Sequence, residues 1–381
     1  MRQIFIGLIC AFALIGGHAD TIHAQSELVP DTTTLVRAKV LSIEKEETRE
    51  VPGTGASHSI QTIQAQILEG EQKGAVVTIE NDYLDLEKGE QFYLSHTVDG
   101  IDGTEYYTVR DPYRLPQLFG IVMLFILAVL LFGGIQGVRG LIALIGSFFF
   151  IFYLLLPGIM HGYSPLLITV LVSSLIIILG SYVTHGFTKT TTAAVAGMIC
   201  TVIITGLLAY WSVAHTRLTG FSSDEAVYLN INAGGGIDVI GILLGGIIIG
   251  LLGVLYDAAI GQAVAVDELT RIAPHASRRK IYERAVRIGR EHIGALVNTL
   301  AIAYVGTSLP LLLLFMQASS ATPLQIINTE VFATEIVRIM IGSIGLVLTV
   351  PVTTLVAVLF LVKPNGEADA VLPEHAGHHH H

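Results

Sequence analysis

The sequence predicts an α-helical polytopic membrane protein with about seven spans after a signal sequence, and an N-terminal extracytoplasmic all-β domain of the OB or SH3-like kind. Three observations predict this fold class. The 381 residues are 52% hydrophobic and only 14% charged, whereas soluble domains carry about 25% charged residues. Seven long apolar segments follow residue 114. Residues 25–114 contain instead short β-branched segments separated by turns.

The first 24 residues have the pattern of a signal peptide. Arg2 precedes the apolar stretch "IFIGLICAFALIGG", and "TIHAQ" offers Ala24 as a small residue for cleavage. The apolar stretch has about 14 residues, fewer than the roughly 20 that a membrane span needs. We therefore predict a signal peptide over residues 1–24, with an uncleaved anchor as the alternative.

Residues 25–114 predict five strands. The segments are "TTLVRAKVLSIEKE", "SIQTIQAQILEG", "GAVVTIEND", "EQFYLSHTV" and "EYYTVRDPY", and they are separated by "VPGTG", "EGEQKG", "EKGE" and "DGIDG". Glycine-rich and charged stretches of this kind form turns. Because the turns are too short for crossover helices, the pattern favours a closed or nearly closed five-stranded barrel.

Seven apolar segments within residues 115–362 are each long enough to cross a membrane. They lie at about 116–135, 141–160, 165–183, 192–213, 238–262, 293–317 and 334–362. The sixth contains Gly306 and Pro310, which allow a kink. These segments predict a seven-span transmembrane domain.

The loops between the spans predict the orientation of the chain. One alternating set holds ten basic residues: Arg139, Lys189, Arg271, Arg278, Arg279, Lys280, Arg284, Arg287, Arg290 and Lys363. The opposite set holds Arg217 alone. Because Lys and Arg concentrate in cytoplasmic loops, we predict that residues 263–292 are cytoplasmic and that residues 25–114 lie outside a bacterial cell membrane.

The segment "SRRKIYERAVRIGREHIG" predicts a basic cytoplasmic helix over residues 275–292. Apolar residues recur three or four apart in it, and Ser277 can cap its N-terminus. Two interpretations stay open. The helix lies on an anionic inner leaflet, where each basic side chain gains about 1 kcal/mol, or its charges only determine the topology.

The remaining ends and cysteines carry little further information. The C-terminal tail, residues 363–381, closes in "GHHHH", which fits either a purification tag or a native metal-binding tail. Both cysteines, Cys10 and Cys200, lie in apolar runs. No disulfide framework is therefore expected.

The sequence lacks the motifs of membrane-embedded enzymes. It has no H-E-x-x-H, no G-x-S-x-G and no P-loop lysine motif. Single histidines at predicted span edges are interpreted as structural: His161, His185, His215 and His292. We therefore expect no enzyme activity and no cofactor, and we leave the question of a metal open.

Polar residues in the last three spans are the candidates for a binding site. Asp257 interrupts the apolar run "GVLYDAAIGQAVAVDEL", and Asn298, Thr299 and Tyr304 interrupt the next span. A carboxylate in hydrocarbon costs about 2.5–3.5 kcal/mol on insertion scales, so Asp257 should face the bundle or a water-filled cavity. The alternative is that Asp257 lies at the cytoplasmic interface on an extension of the helix.

Two further patterns occur in these spans. Glu335 and Arg338, spaced i, i+3, can pair on one helix face and serve as a gating or a structural pair. Gly241 with Gly245, and Gly246 with Gly250, have the small-xxx-small spacing that lets helices approach closely.

A resemblance to a known family accompanies these patterns. The segments "REHIGALVNTLAIAYVGTSLPLLLL", "GLLGVLYDAAIGQAVAVDEL" and "GSIGLVLTVPVTTLVA" resemble the YibE/YibF-like family of bacterial multi-pass membrane proteins. The likeness covers residues 116–362 and is most specific in the part that reads NTL-AY-G-SLP. The chain departs from the family pattern "RDIMGTMVNTL" at Glu291, His292 and Ala295–Leu296. The resemblance implies a permease-like membrane protein.

These observations lead to two hypotheses from different classes. The first is a permease-like protein that moves a small solute or ion, coupled to protons or cations, with Asp257, Asn298, Thr299 and Tyr304 as ligands. The alternative is a non-transporting membrane scaffold or sensor whose outer β-domain binds a partner. The expected partners are the lipid bilayer with its anionic inner leaflet and the unknown solute or ion. A homo-oligomer is compatible with the sequence, and no nucleic acid is expected.

Overall fold

The computed structural model of the chain describes residues 32–50, 57–100, 102–317 and 322–363. The predicted signal peptide lies outside the described residues, as does the predicted C-terminal tail apart from Lys363. The chain divides into two compact units, residues 1–124 and 125–381. The first contains a β-sheet, and the second is helical.

The N-terminal unit contains a five-stranded antiparallel sheet. Its strands are β1 (Thr32–Glu50), β2 (Ser57–Ile67), β3 (Val76–Asn81), β4 (Gln91–Val98) and β5 (Glu105–Pro112). Their spatial order is β3-β2-β1-β4-β5. Three strands form a meander and β4 returns to lie beside β1, which is a Greek-key arrangement. The five predicted strands are confirmed.

The sheet is curled, so its two edge strands, β3 and β5, approach each other. No strand pairing joins them among the described residues, so the structure shows a curled, open sheet, and closure into a barrel stays a prediction. Its interior is filled by residues that alternate along the strands, as the period of two in a β-strand requires. These buried residues include Ala38, Val40, Ile63, Ala65, Phe92 and Leu94.

A polar network bridges β5 and the loop between β2 and β3. The Tyr107 hydroxyl lies 2.6 Å from Glu105 Oε2 and 2.7 Å from Gln72 Oε1. Gln72 Nε2 donates to the same Glu105 oxygen at 3.1 Å, and His96 Nε2 lies 3.2 Å from it. The hydrogen bond from Tyr107, and to a smaller extent the one from Gln72, holds the pKa of Glu105 below its ordinary value of 4.5. The network therefore ties the β5 edge to the rest of the sheet.

We expect this network to give the sheet a pH-dependent stability. Because the folded-state pKa of Glu105 is lowered, its contribution is present above pH 4.5 and is lost as the pH falls through the folded-state pKa. Glu105→Gln should reduce the amide-exchange protection of β5 at pH 7. The difference from the wild-type protein should narrow below pH 4.5. Comparing the two proteins at the same pH cancels the intrinsic exchange rates.

The control is Glu71→Gln, which changes an exposed carboxylate in the loop that also holds Gln72. It should leave the protection of β5 unchanged. Equal protection of wild-type and Glu105→Gln proteins at pH 7 would show that the network does not hold the edge strand.

The second unit is mostly helical, and the first helix of the chain begins at Leu115, within the last ten residues of the first unit. The helices are α1 (Leu115–Phe150), α2 (Leu156–Met160), α3 (Pro165–His185), α4 (Lys189–Thr216), α5 (Asp224–Asn232), α6 (Val239–Ile272), α7 (Arg278–Thr307), α8 (Leu309–Gln317), α9 (Pro323–Ile327) and α10 (Glu330–Leu361). A π-helical turn, Ile151–Leu155, joins α1 to α2.

Five of the described helical segments are long and apolar enough to cross a membrane. They are Leu115–Met160, Pro165–His185, Lys189–Thr216, Val239–Ile272 and Glu330–Leu361. The number becomes six if α7 and α8 count as one span. These two helices meet at an angle of 64°, in the segment where Gly306 and Pro310 predict a kink. The predicted number of seven is not confirmed, because Leu115–Met160 is one helical segment where two spans are predicted.

Threonine side chains and glycines bring the central helices close together. Gly197 of α4 faces Thr353 of α10, and Gly345 of α10 faces Thr205 of α4. An added Cβ at Gly197 would lie only 2.8 Å from the Thr353 Cα, so the two backbones are in contact there. The small-xxx-small interpretation holds in part for α6, where Gly245 faces Thr169 of α3 but Gly246 faces open space.

The basic helix predicted over residues 275–292 forms the start of α7. It begins at Arg278, with Ser277 as the N-cap whose side chain accepts from the Lys280 amide. Ile281 and Ala285 are fully buried in the core of the helical unit. The apolar face of this segment therefore packs against protein. Its basic residues Arg279, Arg287 and Arg290 are exposed.

Candidate functional site

The predicted carboxylate lines a cleft of about 240 Å³ between three helices. Asp257, Ala258, Gly261 and Gln262 come from α6, Val350 comes from α10, and the rest come from α7: Ile288, Gly289, His292, Ala295 and Leu296. The α7 positions recur at intervals of three or four, so they form one face of that helix.

Asp257 lies at the mouth of this cleft. Its side chain is exposed, so it borders the cleft without being enclosed between helices. Among the described residues that line the cleft, no lysine or arginine accompanies it. The cleft therefore carries an uncompensated carboxylate that can accept a proton or bind a cation.

His292 lines the same cleft from α7. The sequence places it at a span edge, where a structural role is expected. In the structure it is exposed and shares the cleft with Asp257. An imidazole nitrogen can accept or donate a proton. The cleft is therefore lined by two ionisable side chains, Asp257 and His292.

The inner wall of the cleft is held by a buried glutamine. Gln262 is 4% exposed, and its amide lies 2.8 Å from Thr354 Oγ1 of α10. The Thr354 hydroxyl donates to the Val350 carbonyl at 2.6 Å, so it accepts from the amide. In this orientation Gln262 Nε2 also donates to the Ala285 carbonyl of α7 at 3.1 Å. One side chain thus joins α6, α7 and α10 directly behind the cleft.

Gly289 makes this junction possible. A Cβ added there would collide with the Gln262 amide and with the Val350 side chain. The close approach of α7 to the other two helices therefore depends on the missing side chain at this position.

Two predicted ligands do not line the cleft. Asn298 is exposed and lies six residues after His292, about 120° around the helix. Thr299 continues the cleft face for one more turn, but its hydroxyl donates to the Ala295 carbonyl at 2.9 Å. Neither residue is among those that line the cleft with Asp257.

Tyr304 belongs to a second polar cluster on the same helix. Its hydroxyl is buried, faces Gly250 of α6, and has no hydrogen-bond partner in the described part of the chain. Its ring packs around Ala258, Leu300 and Leu346. These apolar side chains separate Tyr304 from the cleft.

The predicted pair Glu335–Arg338 joins the Tyr304 cluster. Arg338 Nη1 lies 2.9 Å from Glu335 Oε1, and Ser308 donates to Glu335 Oε2 at 3.2 Å. Tyr304 lies close enough to Glu335 and Arg338 to interact electrostatically with both. The Arg338 Nε is buried without a partner among the described residues. The predicted ion pair therefore forms, and Ser308 links it to the bend between α7 and α8.

Gln262, His292 and Thr354 are the site residues that the sequence prediction does not include. Gln262 interrupts the same apolar run five residues after Asp257 and is visible for that reason, but five residues turn an α-helix by about 140°, so the spacing does not predict a shared face. Thr354 has no such signal, because membrane helices contain many threonines that bond to their own backbone.

The helices, the cleft and the sheet define a chain compatible with a multi-pass membrane protein that carries an N-terminal β-unit. The chain belongs to the YibE/F-like protein family, whose model matches residues 121–363. The match covers nearly all of the helical unit, including the cleft and the Glu335–Arg338 pair. No curated protein and no solved structure matches the chain.

Proposed function

We propose that this YibE/F-like protein is a permease that moves a small solute or ion and binds a proton or cation at Asp257. The observation that carries the proposal is the uncompensated carboxylate in a cleft between helices of membrane-spanning length. Ionisable side chains on membrane-spanning helices are rare, and a functional role is their default interpretation. The proposal takes the protein as a carrier and not as an enzyme.

The two polar clusters support a pathway with two ends. Asp257 is 18 residues after the start of α6, about 27 Å along a helix that must cross roughly 30 Å of hydrocarbon. Glu335 and Arg338 lie near the start of α10, at the opposite side of the proposed membrane. Leu300 and Leu346 lie between Tyr304 and the cleft. We take the ion pair as the outer gate and this apolar layer as the closed part of the pathway.

The proposal is tested with purified protein in liposomes that contain a pH-sensitive dye. Addition of Na⁺, K⁺ or Mg²⁺ outside, or of an acid pulse, should change the lumenal pH faster than in protein-free liposomes. If no gradient produces a protein-dependent response, the transport proposal falls and the scaffold or sensor alternative is favoured.

The proposed orientation places the sheet outside the bacterial cell membrane and residues 263–292 in the cytoplasm. This requires an odd number of crossings between them. A helical break at Gly134, with φ 52° and ψ −138°, supports two crossings within Leu115–Met160. With α3, α4 and α6, two crossings there make five. With α7–α8 and α10 the total becomes seven.

We expect cysteine labelling to confirm this orientation. In a chain without Cys10 and Cys200, Glu71→Cys should react with an impermeant maleimide in intact cells. Arg139→Cys and Arg279→Cys should react only after the cells are opened, since the basic loops are predicted to be cytoplasmic. Labelling of Arg279→Cys in intact cells would place the basic loop outside. Labelling of Arg139→Cys alone would contradict the turn at Gly134.

A further inference from the structure

A groove of about 290 Å³ lies on the outer face of the sheet, across β1, β4 and β5. It is lined by Thr33, Leu35, Tyr93, Ser95, Arg110 and Asp111. Phe92 and Leu94 of β4 are buried in the interior, so the alternate residues Tyr93 and Ser95 belong to the opposite face. The groove therefore lies on the outer face of three neighbouring strands, β1, β4 and β5.

Ser95 is the first indication that the groove accommodates a polar group. Although it lies on the outer face, it is only 1% exposed. Its hydroxyl has no hydrogen-bond partner among the described residues. An unsatisfied buried hydroxyl costs free energy. A polar group that enters the groove and bonds to Ser95 would remove this cost.

The walls of the groove combine a fixed aromatic ring with an exposed apolar side chain. Tyr93 meets the Tyr113 ring edge-on, with centroids 5.8 Å apart, and the Arg37 guanidinium lies 4.8 Å above Tyr113. Leu35, paired with Ser95 in the neighbouring strand, is 63% exposed. Together Tyr93 and Leu35 provide an apolar surface beside the buried hydroxyl.

The residues that line the groove carry one charge of each sign. Arg110 and Asp111 are adjacent in sequence, and Asp111 also pairs with Arg114, whose Nη1 lies 3.0 Å from Asp111 Oδ1. The lining therefore has no net formal charge, which suits a neutral ligand. An added peptide strand would pair with the free edge of β5, whereas the groove lies on the face of the sheet, where the backbones of β1 and β4 are paired on both sides.

We propose that this groove binds a carbohydrate. One sugar ring packs its apolar face on Tyr93 and Leu35, and its hydroxyls bond to Ser95, Thr33 and the Arg110–Asp111 pair. These groups supply both donors and acceptors. The volume is at the small end of the range of about 300–1,000 Å³ for ligand sites, which fits one ring of a longer glycan. The proposal does not depend on transport by the helical unit.

The test uses the full chain in lipid nanodiscs, since sugar-based detergents would compete for the groove. Maltotriose, cellotriose and chitotriose are titrated separately, and contact is measured by saturation-transfer NMR. We expect saturable transfer from at least one trisaccharide. Tyr93→Ala should weaken binding at least about tenfold, because the aromatic surface is lost. Ser95→Ala should weaken it while leaving the apolar surface and the fold intact.

The matched control is Tyr83→Ala, which removes a tyrosine that is 69% exposed in the same unit but outside the groove. It should leave the affinity unchanged. The proposal is overturned if none of the three sugars gives saturable transfer. It is also overturned if Tyr83→Ala and Tyr93→Ala weaken binding equally, or if a hydroxyl-rich peptide of alternating serine and threonine binds where the sugars do not.

Discussion

Asp257→Asn is expected to reduce the protein-dependent pH response of loaded liposomes to the level of protein-free liposomes. Asparagine keeps the volume of the side chain and most of its hydrogen bonds but cannot ionise. The fold should persist, because the cost of placing the group at the cleft mouth belongs mainly to the ion. Dye-reported flux, with the amount of reconstituted protein measured in parallel, gives the result.

Two further variants make this test specific to the cleft. Asp257→Glu keeps the charge and should retain part of the flux. Glu268→Gln changes an exposed carboxylate on the same helix that does not line the cleft, and it should behave as the wild-type protein. Wild-type flux in both Asp257→Asn and Asp257→Leu would identify Asp257 as an interfacial residue, and the binding-site proposal would then be wrong.

The sequence predicts the sheet well because its strands are short and half-buried. In β4, "QFYLSHTV", the alternation of buried Phe92 and Leu94 with Tyr93 is visible in the letters alone. The order of the strands is not visible there. The order depends on which strand β4 pairs with after the connection from β3. In this sheet β4 pairs with β1, and that choice depends on how the side chains on the two faces of the sheet pack.

The helical unit is predictable in location and less so in the number of crossings. Apolar length marks each helix, because a span must satisfy its own backbone in lipid. The division of Leu115–Met160 into two crossings depends on a single break at Gly134. A glycine is compatible with either a turn or a continuing helix, so composition does not decide between them.

The candidate site was predictable only through its charge. Asp257 stands out in an apolar run, but its neighbours are set by helix rotation and by which helices are adjacent. Asn298 interrupts the apolar pattern but does not line the cleft, whereas His292 lines it although its position in the sequence indicates a structural role. The contribution of Gln262 depends on Thr354, 92 positions away in sequence. Such long-range pairs have no periodic signal in a single sequence.

The junction behind the cleft gives the second large expected effect. Gly289 of α7 lies against the Gln262 amide of α6 and the Val350 side chain of α10. Both neighbours are fixed: Gln262 is buried and bonded to α7 and α10, and Val350 is 2% exposed. An added methyl group must push α7 away or break the amide's hydrogen bonds. Overpacking of this kind costs about 1–3 kcal/mol.

Gly289→Ala should therefore lower the apparent melting temperature of the purified protein and also reduce flux, since the wall that carries His292 moves away from Asp257. Gly294→Ala is the matched control, because it adds the same methyl group to the same helix and meets nothing within 4 Å. Both substitutions remove a helical glycine, which by itself favours the helix by up to about 1 kcal/mol. Gly294→Ala should thus melt at or above the wild-type temperature. Equal melting of the two variants would mean that α7 is not held against Gln262.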